Sequence, residues 1–270
     1  MKLSFWLVSL LIAAPALSQE EPSASDLAKK LSNPIADMVS IPLQLNWEEG
    51  VGSNNDLRFI MNFQPVVPFH ISEKWNMIGR MILPYITQPE LTPGGPTASG
   101  TGDIVASAFF SPAQVKEGLT WGVGPVFNLP TTTNPLLGSG QWGIGPTFVI
   151  LKQHGPLTYG VLANQLWGID ETGTEQRTDL NQMFLQPFFA HTNEHGLTWT
   201  IQSETTANWE GGHGERWNIP VNVLVTKVTR LGPLPFSLGG GAGYFVQSPD
   251  STGANWKLRA IFTVILPSKK

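Results

Sequence analysis

The sequence predicts an all-β chain: a single closed antiparallel transmembrane barrel of about 12 strands, behind a cleaved signal peptide. Three observations carry this. Apolar and polar residues alternate with a period of two through twelve segments, each of roughly 9–15 residues. A tilted membrane-spanning strand takes about 9–11 residues, whereas strands in soluble sandwiches run nearer 5–6. Charged residues make up only 13% of the chain, against about 25% in ordinary soluble domains. Gly 28, Pro 22, Trp 10 and Phe 14 are all high, yet no apolar run after the N-terminus is long enough for a spanning helix.

The first eighteen residues read as a secretory signal. Lys2 supplies the positive start, Leu3 to Ala14 the apolar stretch, and Ala16-Leu17-Ser18 a small-x-small cleavage site before Gln19. That stretch is too short to cross a bilayer, which takes roughly 20 residues. No cysteine stands near the cleavage site, so a lipoprotein anchor is excluded, and the chain has no cysteine for disulfides or thiolate metal sites. Residues 19–36 are polar and are expected to form a periplasmic segment. Within it, Ser23 to Leu31 predicts one short helix capped by Ser23 or Ser25. Residues 37–270 are expected to form the barrel.

The alternation starts at Val39, with Ile41, Leu43, Leu45 and Trp47 opposite Ser40, Pro42, Gln44 and Asn46. Leu57, Phe59, Met61, Phe63, Val67, Phe69 and Ile71 then face away from Arg58, Asn62, Gln64 and His70. Trp75, Met77, Met81, Leu83 and Tyr85 share a face against Asn76 and Arg80. The pattern continues through 103–111, 119–129, 142–152, 157–168, 180–191, 197–206, 216–228, 235–247 and 255–266. Links near 72–74, 153–156, 192–196 and 229–234 are short, and 112–118 is somewhat longer. Those at 48–56, 88–102, 130–141, 169–179, 207–215 and 248–254 are longer and polar. Bacterial barrels pair short periplasmic turns with long outer loops, and with both termini in the periplasm every long link falls outside.

Trp47, Trp75, Trp121, Trp142, Trp167, Trp199, Trp217 and Trp256 fall toward strand ends on the apolar face, as in aromatic girdles at the two membrane boundaries. Lys152 and Lys227 share that face but sit at predicted periplasmic ends, where a lipid-facing charge costs little. The opposite phase would line the lumen. It carries Arg58, Asn62, Gln64, His70, Arg80, Asn128, Gln182, Gln186, Gln202, Glu204, Asn218, Asn222, Lys257 and Arg259, with Gly122, Gly124, Gly143, Gly145, Gly239, Gly241 and Gly243. Arg58, Asn62, Arg80, Gln186, Gln202, Glu204, Asn218, Asn222 and Arg259 are the candidate lumen-lining residues. Two readings stand side by side: a polar path whose selectivity Arg58, Arg80, Glu204 and Arg259 set, or a packed plug of paired charges.

Net charge is −4 without a basic cluster, so nucleic acid is not an expected partner. His191 and His195 have zinc-like helical spacing, but a predicted turn into Gly196 breaks that geometry. The run Gly239 to Gly243 lacks the lysine and the strand-to-helix context of a phosphate loop, and suits close packing of strands. A lipid hydrolase would need serine, histidine and an orienting group together on the lipid side. The outward phase offers no such pair, with His70, His154, His191 and His195 near the periplasmic end. The chain is therefore not expected to be an enzyme or to use a cofactor.

Several short stretches together resemble a known group. They are Asn33-Pro34-Ile35-Ala36-Asp37 leading to Ile41-Pro42-Leu43-Gln44, and Gly102-Asp103-Ile104 running to Phe110-Ser111-Pro112. Gly122-Val123-Gly124-Pro125 with Leu129-Pro130-Thr131, Trp142-Gly143-Ile144-Gly145-Pro146 and Gln186-Pro187-Phe188 follow. Trp217-Asn218-Ile219-Pro220-Val221 and Trp256-Lys257-Leu258-Arg259 complete the set. In their order and spacing these resemble the phenol-degradation meta-pathway family of outer-membrane proteins, whose members often carry the labels "transporter" or "neuromedin U". The resemblance spans nearly the whole mature chain and brings no catalytic residues. It implies a barrel associated with uptake of small hydrophobic or aromatic compounds. One departure is the tail Leu266-Pro267-Ser268-Lys269-Lys270, where many such barrels end in an aromatic residue and Phe262 is the nearest here.

The expectation from sequence is thus a porin-like barrel in a Gram-negative outer membrane, passing small molecules. Its expected partners are membrane lipid, the outer-membrane assembly machinery and a small-molecule solute. A structural or surface-interaction barrel with a closed lumen is the alternative, and a lipid hydrolase a lesser one.

Overall fold

A computed structural model describes residues 22–169 and 179–266; the predicted signal peptide, the closing residues and part of the 169–179 link lie outside them. One helix, α1 (Ala24–Leu31), precedes fifteen ladder segments. These are β1 (Val39–Val51), β2 (Asp56–Phe63), β3 (Val66–His70), β4 (Trp75–Gln88), β5 (Ala98–Thr101), β6 (Ile104–Pro112), β7 (Leu119–Leu129) and β8 (Gly143–His154). β9 (Leu157–Gly168), β10 (Asn181–Thr192), β11 (Leu197–Ser203), β12 (Thr205–Asn208), β13 (Trp217–Leu231), β14 (Leu234–Gln247) and β15 (Trp256–Leu266) follow. Three pairs of segments are single strands with an interruption: β2 with β3, β5 with β6, and β11 with β12. The result is twelve antiparallel strands. β1 closes the ring against β15, from Val39↔Leu266 to Glu49↔Trp256, so the first and last strands have partners on both sides.

Closure is what hydrocarbon demands, because it leaves no unpaired strand edge. The interruptions do not breach it. At 64–65, where Pro65 has no N–H to give, Gln64 N donates to Pro42 O at 2.9 Å and Met81 N donates to Pro65 O at 3.1 Å. At 102–103, Gly102 N donates to Pro84 O at 3.0 Å. The third interruption falls at Glu204.

Turns near 71–74, 113–118, 155–156, 193–196 and 232–233 gather at one end, and both described termini lie there too. Two sequence expectations shift at the other end. The link expected at 48–56 contracts to 52–55, because β1 and β2 run on to Val51 and Asp56. β5 likewise removes four residues from the link expected at 88–102, pairing Ala98 to Thr101 with Gln88 to Tyr85.

The outer surface is apolar across its full height. Ile201, Val223, Leu238, Leu258 and Phe189 stand exposed along the wall. Trp75 and Trp121 meet edge-on at 5.9 Å near the short-turn end, with Trp199 on the same rim. Trp47, Trp142, Trp167, Trp217 and Trp256 mark the other rim, where Tyr244 and Trp256 pack at 4.9 Å. A water-facing surface of this kind would be an aggregation liability; in lipid it is the solvated face. Val223→Arg, midway along β13, should therefore cost roughly 2–4 kcal/mol. That loss is read as a fall in the urea midpoint for unfolding out of lipid vesicles, and no loss would mean that this face does not meet lipid.

The Gly239 to Gly243 run serves strand approach, as its sequence context suggested. A Cβ at Gly241 would lie 1.9 Å from Val223 O, and one at Gly239 would lie 2.2 Å from Val225 O. β13 and β14 reach that spacing only with glycine at these positions.

Candidate functional site: the barrel lumen

The period of two sets which side chains enter the lumen, and register then brings together residues far apart in sequence. Arg58 lies opposite Glu48, Asn62 opposite Gln44, Arg80 opposite Val66 and Ser107, and Gln202 opposite Asn222. Arg259 stands beside Asn46 and Gly241. Gln186 shares the inward side of β10 with Phe184 and Phe188, and Asn218 shares that of β13 with Asn222. The nine candidate lumen residues therefore occupy one inward surface, but their contacts divide them.

Arg58, Arg80, Glu204 and Arg259 join a belt of charge. Arg259 grips Glu204 with two bonds, Nη1 to Oε1 at 2.8 Å and Nη2 to Oε2 at 2.6 Å, and its Nε donates to Asn46 Oδ1 at 2.6 Å. Arg58 donates to Glu48 Oε2 through Nε at 2.9 Å and Nη2 at 2.7 Å. Lys257 sits between the two acids, 3.4 Å from Glu48 and 3.7 Å from Glu204, with its ammonium 5.0 Å from the centre of the Phe245 ring. Gln186 Nε2 donates to Gln202 Oε1 at 3.0 Å, and Gln202 Nε2 donates on to Glu204 Oε1 at 3.2 Å. Arg80 donates to Gln64 Oε1 at 3.1 Å. The belt holds four cations against two carboxylates, a surplus of two positive charges.

Asn222 is 1% exposed and its Nδ2 has no partner among the described residues. Asn62 and Asn218 are half-buried and stand apart from the belt's hydrogen bonds. Glu48 was not singled out from sequence, since it fell in the expected 48–56 link. Continuing the alternation past Asn46 would have placed it inward.

The lumen is not polar all round. Ile78, Phe109, Val149, Leu151 and Leu162 point inward from β4, β6, β8 and β9 and form a buried cluster with Phe184, Phe188 and Val66 against it. The chain itself covers this wall. Ile35, on the segment between α1 and β1, inserts among these side chains and is 3% exposed.

α1 crosses the short-turn end. Ser23 is its N-cap, accepting from Asp26 N at 3.1 Å, and Leu27 and Ala28 pack with Ala36, Met38, Val228 and Ile265. Gln153 Nε2 donates to Lys29 O at 2.9 Å, and Arg230 Nη2 donates to Pro22 O at 2.9 Å. Gly196 takes φ 72°, and a Cβ there would lie 2.7 Å from Ala24 O, so the turn fits the helix. Lys227 donates to the backbone of that same turn at His195 O.

At the long-loop end Asp103 gathers the 130–141 loop, accepting from Gly140 N and Ser139 Oγ at 2.8 Å each and from Thr132 N at 3.1 Å. Thr252 O, in the 248–255 loop, accepts from Arg58 Nη1 at 3.4 Å.

Between the N-terminal segment and the belt lies a cavity of about 200 Å³. Its lining includes Asn33, Pro34 and Met38 from the segment, Val66, Phe188, Leu224 and Ile261 from the wall, and Gln64, Arg80, Gln186 and Gln202 from the belt. The histidines lie elsewhere. His70 Nδ1 meets Asn76 Oδ1 at 3.0 Å, with Asp37 3.6 Å from its other nitrogen. His191 is exposed on the outer wall opposite Trp199, and His195 is 3.6 Å from Glu194.

No protein-family model and no curated protein sequence matches the chain. Among solved structures it is similar to an outer membrane channel from Pseudomonas putida F1, with TM-score 0.65 and 13% identity over 85% of this chain and 96% of that one. It also aligns with the outer membrane phospholipase A from Escherichia coli, at TM-score 0.46 and 10% identity over 92% and 99% of the two chains. This chain accordingly has the fold of an outer-membrane β-barrel: twelve antiparallel strands, closed on themselves, with one short helix at the short-turn end.

Proposed function

We propose that this chain is a passive channel for small solutes in a bacterial outer membrane, and that it belongs to the phenol-degradation meta-pathway family whose motifs it resembles. One observation carries the reading. A barrel with an apolar exterior encloses a cavity lined by both apolar and polar side chains, bounded by its own N-terminal segment and a belt with a surplus of cations. A wall designed only for stability would gain from an apolar filling, because buried ion pairs add little net stability. In this reading the signal peptide directs export, and lipid and the outer-membrane assembly machinery are the partners that complete it.

The test is conductance of the refolded protein in a planar lipid bilayer. Discrete, small current steps are expected, weighted toward anions because the belt is net positive. Silence from protein whose circular dichroism shows intact strands would favour the second reading, a structural barrel with a closed lumen. That reading draws on the paired charges and the seated Ile35.

A further inference from the structure

We infer that the lumen cavity is a binding site for a small organic monocarboxylate with an apolar body, and that Arg80 is the residue that holds its carboxylate. The inference rests on the channel reading and names the class of solute.

The starting point is the uneven distribution of partners within the belt. Glu48 is engaged by Arg58 and Lys257, and Glu204 by both terminal nitrogens of Arg259 and by Gln202. Both carboxylates are committed. Arg58, Lys257 and Arg259 each have a carboxylate within 4.0 Å, whereas Arg80 donates, among the described residues, only to the neutral amide oxygen of Gln64. A guanidinium has five N–H donors in a planar fork that fits a carboxylate with two parallel bonds. The charge of Glu204 acts on Arg80 from a distance, but among the described residues no carboxylate lies within 4.0 Å of it, and a guanidinium inside a barrel without such a contact is costly. Arg80 lines the cavity, so the missing counter-charge belongs to whatever the cavity takes up.

The remaining lining describes the rest of that molecule. Val66, Phe188, Leu224 and Ile261 offer apolar contact, so an inorganic anion would leave most of this surface unused. At about 200 Å³ the space is below the roughly 300–1,000 Å³ of drug-sized pockets, which limits the body to a single ring or a short chain. Arg80 is the arginine of the lining, and Lys30, the other cation there, is exposed, so the interior offers one guanidinium fork for one carboxylate. That favours a monoanion.

The test measures binding by calorimetry to the full refolded chain in a neutral detergent, with benzoate, acetate and benzyl alcohol as probes. Benzoate should bind at least about tenfold more tightly than either, since acetate lacks the body and benzyl alcohol the charge. Arg80→Gln should weaken benzoate by about tenfold or more and leave benzyl alcohol unchanged, and Arg80→Lys should recover part of the loss. Equal binding of benzoate and benzyl alcohol to the native protein overturns the inference, whatever the variants do. So does benzoate binding that Arg80→Gln leaves intact. Conductance without Arg80-dependent benzoate binding removes this site and keeps the channel. Arg80-dependent binding in a barrel that never conducts keeps the site and removes the channel.

Discussion

Replacing Glu204 by glutamine is expected to be among the most damaging single changes in the lumen. The side chain shrinks by nothing, but the acid that answers Arg259 disappears. Arg259 has a side chain only 3% exposed and makes two short bonds to that acid, while Lys257 shares it at 3.7 Å. Removing one partner of a buried pair leaves the other charge desolvated, which costs about 3–5 kcal/mol. The belt would then hold four cations against Glu48 alone. Two outcomes should appear together: a drop of that size in the free energy of urea unfolding from vesicles, and a reversal potential displaced toward anion permeation. The double change Glu204→Met with Arg259→Met should recover most of the stability, because the cost lies in the orphaned charge rather than in the lost bonds. A single-variant loss under about 1 kcal/mol would mean that the pair is as weakly coupled as one exposed to water.

All the charges of this belt except Glu48 were readable in the sequence, but their pairing was not. Alternation alone put Arg58, Arg80, Glu204 and Arg259 on one face, since a period of two assigns sides without knowledge of neighbours. Arg259 reaches Asn46 across 213 positions and Glu204 across 55. Those distances depend on how many strands close the ring and at what stagger, which no local pattern encodes. Glu48 escaped notice for a local reason: Glu49 and Gly50 beside it look like the start of a loop, although β1 continues to Val51.

The apolar half of the lumen was hidden differently. Around Ile78 and Phe109 both phases of the strand are apolar, as Met77 and Phe110 show on the outer side. Hydropathy there cannot tell lumen from lipid. The tryptophans remained informative because their meaning depends on position along the strand rather than on phase. The helix was legible from a serine cap, with Ser23 and Ser25 both candidates and Ser23 the one that caps it. Its docking was not, since Leu27 and Ala28 find their partners at Val228 and Ile265, in the last third of the chain.

The second large effect concerns Ile35. Its side chain is inserted between inward residues of four different strands, and a Cβ on Gly122 would lie 3.0 Å from its Cδ1. A carboxylate at this position would have no donor among Ile78, Phe109, Val149, Leu151 and Leu162. Burying it there would cost several kcal/mol, enough to displace the segment rather than the wall. The strands do not depend on that segment for pairing, because β1 is already matched along its length by β15 and β2. Ile35→Asp should therefore leave strand content unchanged and raise single-channel conductance several-fold, while Ile35→Val should leave conductance near that of the native protein. If Ile35→Asp instead unfolded the barrel without larger steps, Ile35 would be a structural member of the core and the segment a fixed part of the wall. The helix makes the contrast sharper. α1 stays tied to the rim through Gln153, Arg230 and the Leu27 cluster, so the displaced stretch would be only the few residues between two anchors. A short tethered stretch still revisits its seat, since closing a small loop carries a small entropic cost, but the buried carboxylate makes the seated state the minor one. Current from Ile35→Asp channels should accordingly dwell at the larger step, with only brief returns to the native one.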